Sequence, residues 1–119
     1  MKTAGRTVEA PPISLRGRRA LVLGLGRFSG GVETVKFLAA EGASVVVSDV
    51  LDPAALSASI AAVEGTGAKL VFGPQTPDLL DGLGVKGLVV ASPAIPFDHP
   101  VLLEAVRRGI EVTDRKSVV

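Results

Sequence analysis

Residues 24–33 read GLGRFSGGVE, between an apolar run at 20–23 and a segment of helical spacing. A strand that feeds a helix through a glycine turn is the first half of a β-α-β unit, whose crossover is right-handed. The start of such a helix exposes unpaired N–H groups and about half a positive charge. Gly24 and Gly26 let the backbone turn tightly and approach an anion, so a phosphate is the expected ligand. The dinucleotide pattern G-x-G-x-x-G needs its third glycine at position 29, where this chain has Ser29; Gly30 and Gly31 come later. Asp49 closes the second apolar strand, where dinucleotide folds place an acid that accepts hydrogen bonds from a ribose hydroxyl. Turn and acid together point to a nucleotide-like ligand. A glycine turn can also be a plain strand-to-helix connection, and Asp49 a plain surface-turn residue.

Strand and helix patterns alternate through the rest of the chain. Val32, Val35, Leu38 and Ala39 have helical spacing, and Gly42 stops that helix. Residues 43–48 form a second strand. Asp52-Pro53 predicts an N-cap followed by proline at the first helical position, with Leu56, Ile60 and Val63 on the buried face. Residues 68–72 predict a third strand, and GPQTPDLLDGLG a loop with one helical turn. A fourth strand is expected at 87–91. His99-Pro100 opens a last helix with Val101, Leu102, Ala105 and Val106 inward, and 110–112 form a fifth strand. The alternation predicts an α/β fold: a Rossmann-like three-layer domain with a mostly parallel five-stranded sheet in the order 3-2-1-4-5.

Composition narrows the function. The chain is 47% hydrophobic but only 3% aromatic, so Val, Leu, Ile and Ala must fill the core. With 13 basic and 12 acidic residues it has no electrostatic case for nucleic acid. The lack of cysteine excludes disulfides, thiolate chemistry and zinc–thiolate sites, and fits a cytosolic protein. The first residues, MKTAGRTVEAPPISLRGRR, have no apolar signal region, and no stretch approaches the roughly 20 apolar residues that span a bilayer. A cytoplasmic protein without a membrane partner is expected. The sequence contains no metal-ligand spacing, no nucleophile–histidine–acid arrangement, no paired-carboxylate motif and no G-x-x-x-x-G-K-[ST] loop for ATP. The one histidine, His99, reads as a helix cap, and Arg27 as a solvated loop residue within reach of a phosphate. No catalytic residue, metal or cofactor is expected in these residues.

A second segment, SPAIPFDHPVLLEAVRRGIEV at 92–112, is more specific. Together with GLGRFSGG and the strand ending at Asp49, it resembles the N-terminal domain of the Mur ligases, nearest the MurD type that joins D-glutamate to UDP-N-acetylmuramoyl-L-alanine. The family pattern is a GLG-x-[ST]-G turn, an acid after the second strand, then S-P-G-[IV], HP and a helix ending in G-[IV]. The resemblance covers roughly residues 15–112. It implies a UDP-sugar ligand in place of a nicotinamide dinucleotide. By position, Gly24, Leu25, Gly26, Arg27, Phe28 and Ser29 would face the diphosphate, and Asp49 and Val50 would lie by the uridine. Ser92, Pro93 and Ala94 would form a second loop near the diphosphate and sugar. Ala94 stands where the family has glycine, and Val50 and Leu51 are apolar where many members are polar. The resemblance also implies that ATP, Mg2+ and the D-glutamate site belong to central and C-terminal domains outside this chain.

The expected organisation is a lead-in at 1–13, a Rossmann-like UDP-sugar-binding domain at 14–113, and a tail at 114–119. The tail, DRKSVV, departs from the family pattern, and DNA that would encode it resembles a short-read sequencing adapter; the expectation is a C-terminally truncated fragment, with a plain polar C-terminal tail as the other reading. Two other readings remain open on the residues alone: a nicotinamide-binding domain of an oxidoreductase, and a stand-alone ligand-binding module.

Overall fold

The computed structural model describes residues 15–26, 30–84 and 86–114. Its centre is β1 (Arg19–Leu23), in which every residue after Arg19 is buried. A strand apolar on both faces can sit only inside a sheet covered on both sides. β2 (Ser44–Asp49) and β4 (Leu88–Ala91) flank it, and β3 (Lys69–Phe72) and β5 (Glu111–Asp114) form the edges. The sheet of the described residues is wholly parallel, in the expected order 3-2-1-4-5. Leu23 pairs with Ser48 on one side and with Ala91 on the other, so the carboxyl ends of three strands finish level.

Alternation along the strands sorts the core into two layers. Ala20, Val22, Val45, Val47, Leu88 and Val90 face α1 (Gly30–Ala40) and α2 (Ser57–Val63). Leu21, Leu23, Val89 and Ala91 face α3 (Pro100–Arg107) and the crossover at 77–83. α1 buries Val32, Val35 and Leu38 at helical spacing. It ends where Ala43 N–H bonds the Leu38 carbonyl at 3.1 Å, the six-to-one bond of a Schellman stop. α3 ends the same way, Ile110 N–H to the Ala105 carbonyl at 2.9 Å.

Three local expectations shift. Val106, expected inward, is 69% exposed: the buried stripe of α3 is Val101, Leu102 and Ala105, and position 106 lies about 100° further round. Asp52 stands at an N-cap position without a side-chain capping bond; its carbonyl accepts from Ala55 N–H at 2.9 Å, and the segment begins as a 3-10 turn, Pro53–Leu56, before α2. β5 runs through Asp114, one residue into the expected tail. The lead-in at 1–13 and residues 115–119 lie outside the described residues. His99 caps α3, its Nδ1 accepting from Val101 N–H at 3.1 Å.

An ion-pair cluster fastens α3 to the crossover. Glu104 accepts from Arg107 Nε at 2.9 Å and Arg108 Nε at 2.8 Å, and Arg108 reaches Asp81 at 3.0 Å. Hydrogen bonds from Arg107 and then Arg108 hold the Glu104 carboxyl at about 2, against a usual 4.5. Because the folded value is the lower one, this contribution is present above pH 4.5 and lost as the pH falls towards 2. In acid titrations of unfolding, Glu104→Gln should therefore lose less stability than the parent chain over that window. In urea unfolding, Leu21→Ala, in the core beneath α3, should lose ~2–5 kcal/mol. Val106→Ala, on the exposed face, should stay within about 0.5 kcal/mol.

Candidate functional site

The site lies where β1 and β4 end. Past β1, Gly24 N–H continues the ladder to the Ser48 carbonyl at 2.8 Å, and past β4, Ser92 N–H bonds the Leu23 carbonyl at 3.0 Å. The glycine turn and the Ser92 loop therefore leave the sheet side by side. Gly24 has φ +98°, and a Cβ there would lie 2.9 Å from the Cβ of Ser92. A side chain at 24 would meet both backbone strain and a clash. The Ser92 loop is itself a turn: Ile95 N–H bonds the Ser92 carbonyl at 2.9 Å, and Ala94 N–H bonds Ser92 Oγ at 3.3 Å. Pro93 and Ala94 are exposed beside it.

Asp49 closes β2 and is 6% exposed. Its Oδ2 accepts from the N–H groups of Leu25 and Gly26, each at 3.0 Å, and its Oδ1 from Leu51 N–H at 2.9 Å. The carboxylate thus grips the chain's own turn. Val50 beside it is 63% exposed. From the far side, Ser59 Oγ on α2 donates to the Gly26 carbonyl at 2.7 Å. Gln75 Nε2 donates to the Ser48 carbonyl at 3.1 Å, and Gly73 N–H to the Asp49 carbonyl at 3.0 Å, bracing the end of β2.

The structure brings Gly24, Leu25, Gly26, Asp49, Val50, Ser92, Pro93 and Ala94 to the carboxyl edge of the sheet. Arg27, Phe28 and Ser29 lie outside the described residues. The helix–turn contact that a third glycine permits is made by Gly31: a Cβ there would lie 2.1 Å from the Leu25 carbonyl oxygen. Position 31 is two beyond the motif's spacing. Sequence reasoning also passed over Ser59 and Gln75. Ser59 had a signal, since it interrupts the apolar stripe of Leu56, Ile60 and Val63 at a buried position. Gln75, in a loop, had none.

A hollow of about 560 Å3 lies elsewhere, lined by Arg19, Ser44, Lys69 and Asp81 at the amino ends of β1 to β3 and the crossover. Parallel sheets bind ligands at the opposite, carboxyl edge, where the strand order reverses, so the glycine turn is the candidate site. Among the described residues no group of acids and histidine could hold a metal ion, and no helix is long and apolar enough to cross a membrane.

Fold and strand-end turn define the class, a Rossmann-like α/β domain. A family model described as "Mur ligase MurD-like, N-terminal domain" matches residues 18–114, and the chain belongs to that family. It is 39% identical over 100 residues to the UDP-N-acetylmuramoylalanine–D-glutamate ligase of Roseiflexus sp. (strain RS-1), covering 84% of this chain and 21% of that protein. The ligase of the same name from Koribacter versatilis is 36% identical over 100 residues, with 84% and 21% covered. The chain thus spans about 21% of the length of these relatives. Among solved structures, BdcA from E. coli superposes with a TM-score of 0.61 at 18% identity, over 85% of this chain and 64% of that one. At that identity the likeness shows the fold alone.

The Gly31 contact makes a sharp expectation. Backbone cannot yield to a new methyl as a flexible side chain can, so Gly31→Ala should fall at or beyond the upper end of overpacking losses, about 3 kcal/mol in urea unfolding. Gly65→Ala, with open space around it but φ +90°, should lose less.

Proposed function

We propose that this domain binds the UDP end of UDP-N-acetylmuramoyl-L-alanine for a peptidoglycan-synthesis ligase that adds D-glutamate with ATP. The observation that carries this reading is the contact between Gly24 and Ser92, which unites the glycine turn and the S-P-A-I loop in one crevice of a MurD-like chain. In this reading the turn Gly24–Ser29 faces the diphosphate, Asp49 and Val50 lie at the uridine end, and Ser92, Pro93 and Ala94 flank the diphosphate and sugar. The N–H groups of Gly24, Leu25 and Gly26 are already bonded to Ser48 and Asp49. In this reading an anion draws on the amino end of α1, where the helix dipole favours negative charge.

The domain supplies binding energy remote from the reacting carboxylate, holding the substrate while chemistry proceeds elsewhere. The sequence has no lysine in a glycine cradle and no partnering Ser or Thr for magnesium; the resemblance to the Mur ligases implies that ATP and Mg2+ belong to a central domain of the longer enzyme and D-glutamate to a C-terminal one. The cytoplasm is the compartment in which this reading places the protein.

Calorimetric titration of the 119-residue chain tests the reading. UDP-N-acetylmuramoyl-L-alanine and UDP should both bind, and NADH should not. Tight NADH binding with no response to UDP would reverse it. Purified chain should release no phosphate from ATP; measurable release would place ATP chemistry in this domain and overturn the division of labour.

A further inference from the structure

We propose that Asp49 and Ser59 form a clamp on the Gly26 segment, and that Asp49 serves the nucleotide as a positioning residue and not as the reader of its ribose. The inference rests on the turn being the nucleotide-diphosphate site. An acid that reads a ribose needs a carboxylate oxygen free and facing the ligand. A carboxylate offers about four acceptor positions over its two oxygens. Here Oδ2 receives two backbone donors and Oδ1 one, and the residue is 6% exposed. Three of those positions are taken by backbone donors of the turn and of the loop after β2.

Ser59 completes the grip. Gly26 N–H belongs to the peptide unit before that residue, and the Gly26 carbonyl to the unit after it. Asp49 holds the first at 3.0 Å and Ser59 Oγ the second at 2.7 Å. The two rotations between them are those of a glycine at φ +79°, the residue type with the greatest backbone freedom. With either anchor removed, the turn gains conformers, and the observed affinity falls with the fraction that remains competent to bind. Ser59 itself is 5% exposed, so its hydroxyl acts on the turn and not on the ligand.

Two measurements test the clamp, both well below the melting temperature so that every variant is folded. First, Ser59→Ala should weaken UDP binding by roughly two- to tenfold, the loss of one hydrogen bond, and Ser59→Thr, which keeps the hydroxyl, should recover part of it. Folded Ser59→Ala that binds UDP as the parent does would overturn the clamp. Second, the affinity ratio of UDP to 2′,3′-dideoxy-UDP, which lacks both ribose hydroxyls, should be the same in the parent chain and in Asp49→Asn, while both ligands weaken together. A parental preference for UDP that vanishes in Asp49→Asn would make Asp49 a ribose reader and overturn the assignment. If Asp49→Asn does not fold, Asp49→Glu takes its place in the ratio, and Ser59→Ala decides the clamp alone. Should the parent bind NADH and not UDP, the proposed function fails, and the clamp is tested by the same Ser59→Ala comparison with NADH.

Discussion

The buried carboxylate of Asp49 joins three parts of the chain: the strand it ends, the turn after β1, and the first residues beyond β2. A charge this enclosed is tolerable only with hydrogen-bond donors around it. Leu25, Gly26 and Leu51 supply them from the backbone, which cannot swing away as a side chain can. The turn in exchange has its otherwise orphaned amides satisfied. Removing the carboxylate leaves three backbone donors, one buried and two half-buried, without their partner at once, so its influence extends beyond any single bond. Around it, the level ends of β1, β2 and β4 set where the turn and the Ser92 loop can begin.

Much of this was legible in the sequence because it follows from period and punctuation. The apolar runs at 20–23, 45–47 and 88–91 have no polar face, which only a covered parallel sheet accommodates, and the glycine turn sets the first crossover. His99 before Pro100 read as a helix start, and the structure has it capping Val101 N–H. The family was legible from the order of the GLG turn, the SPAI segment and the HP pair.

What escaped depends on distances between segments far apart in sequence. The place of Gly31 is set by how closely α1 approaches the Leu25 carbonyl, and no spacing rule states that approach. Ser59 carries a signal as a hydroxyl within the apolar stripe of α2, but its partner, the Gly26 carbonyl, lies 33 residues away in sequence. Asp49 was correctly placed at the end of β2, but the type and position of an acid do not say whether its oxygens face a ligand or its own chain. Val106 shows the converse error. An apolar residue at a plausible spacing was taken for core, although the stripe of α3 is narrower than its apolar content.

The contact between Gly24 and Ser92 ties residues separated by most of the domain. Add the Gly26 links to Asp49 and Ser59, and the described contacts that join the glycine turn to its surroundings run between segments far apart in sequence. The crevice cannot take shape as soon as its own residues leave the ribosome. It must wait for β2, α2 and finally β4 to dock, each closing a longer loop. The backbone of Gly24 and Gly26 thus gains its long-range bonds only with the sheet and α2 in place, and its shape registers whether the sheet behind it has been assembled in full.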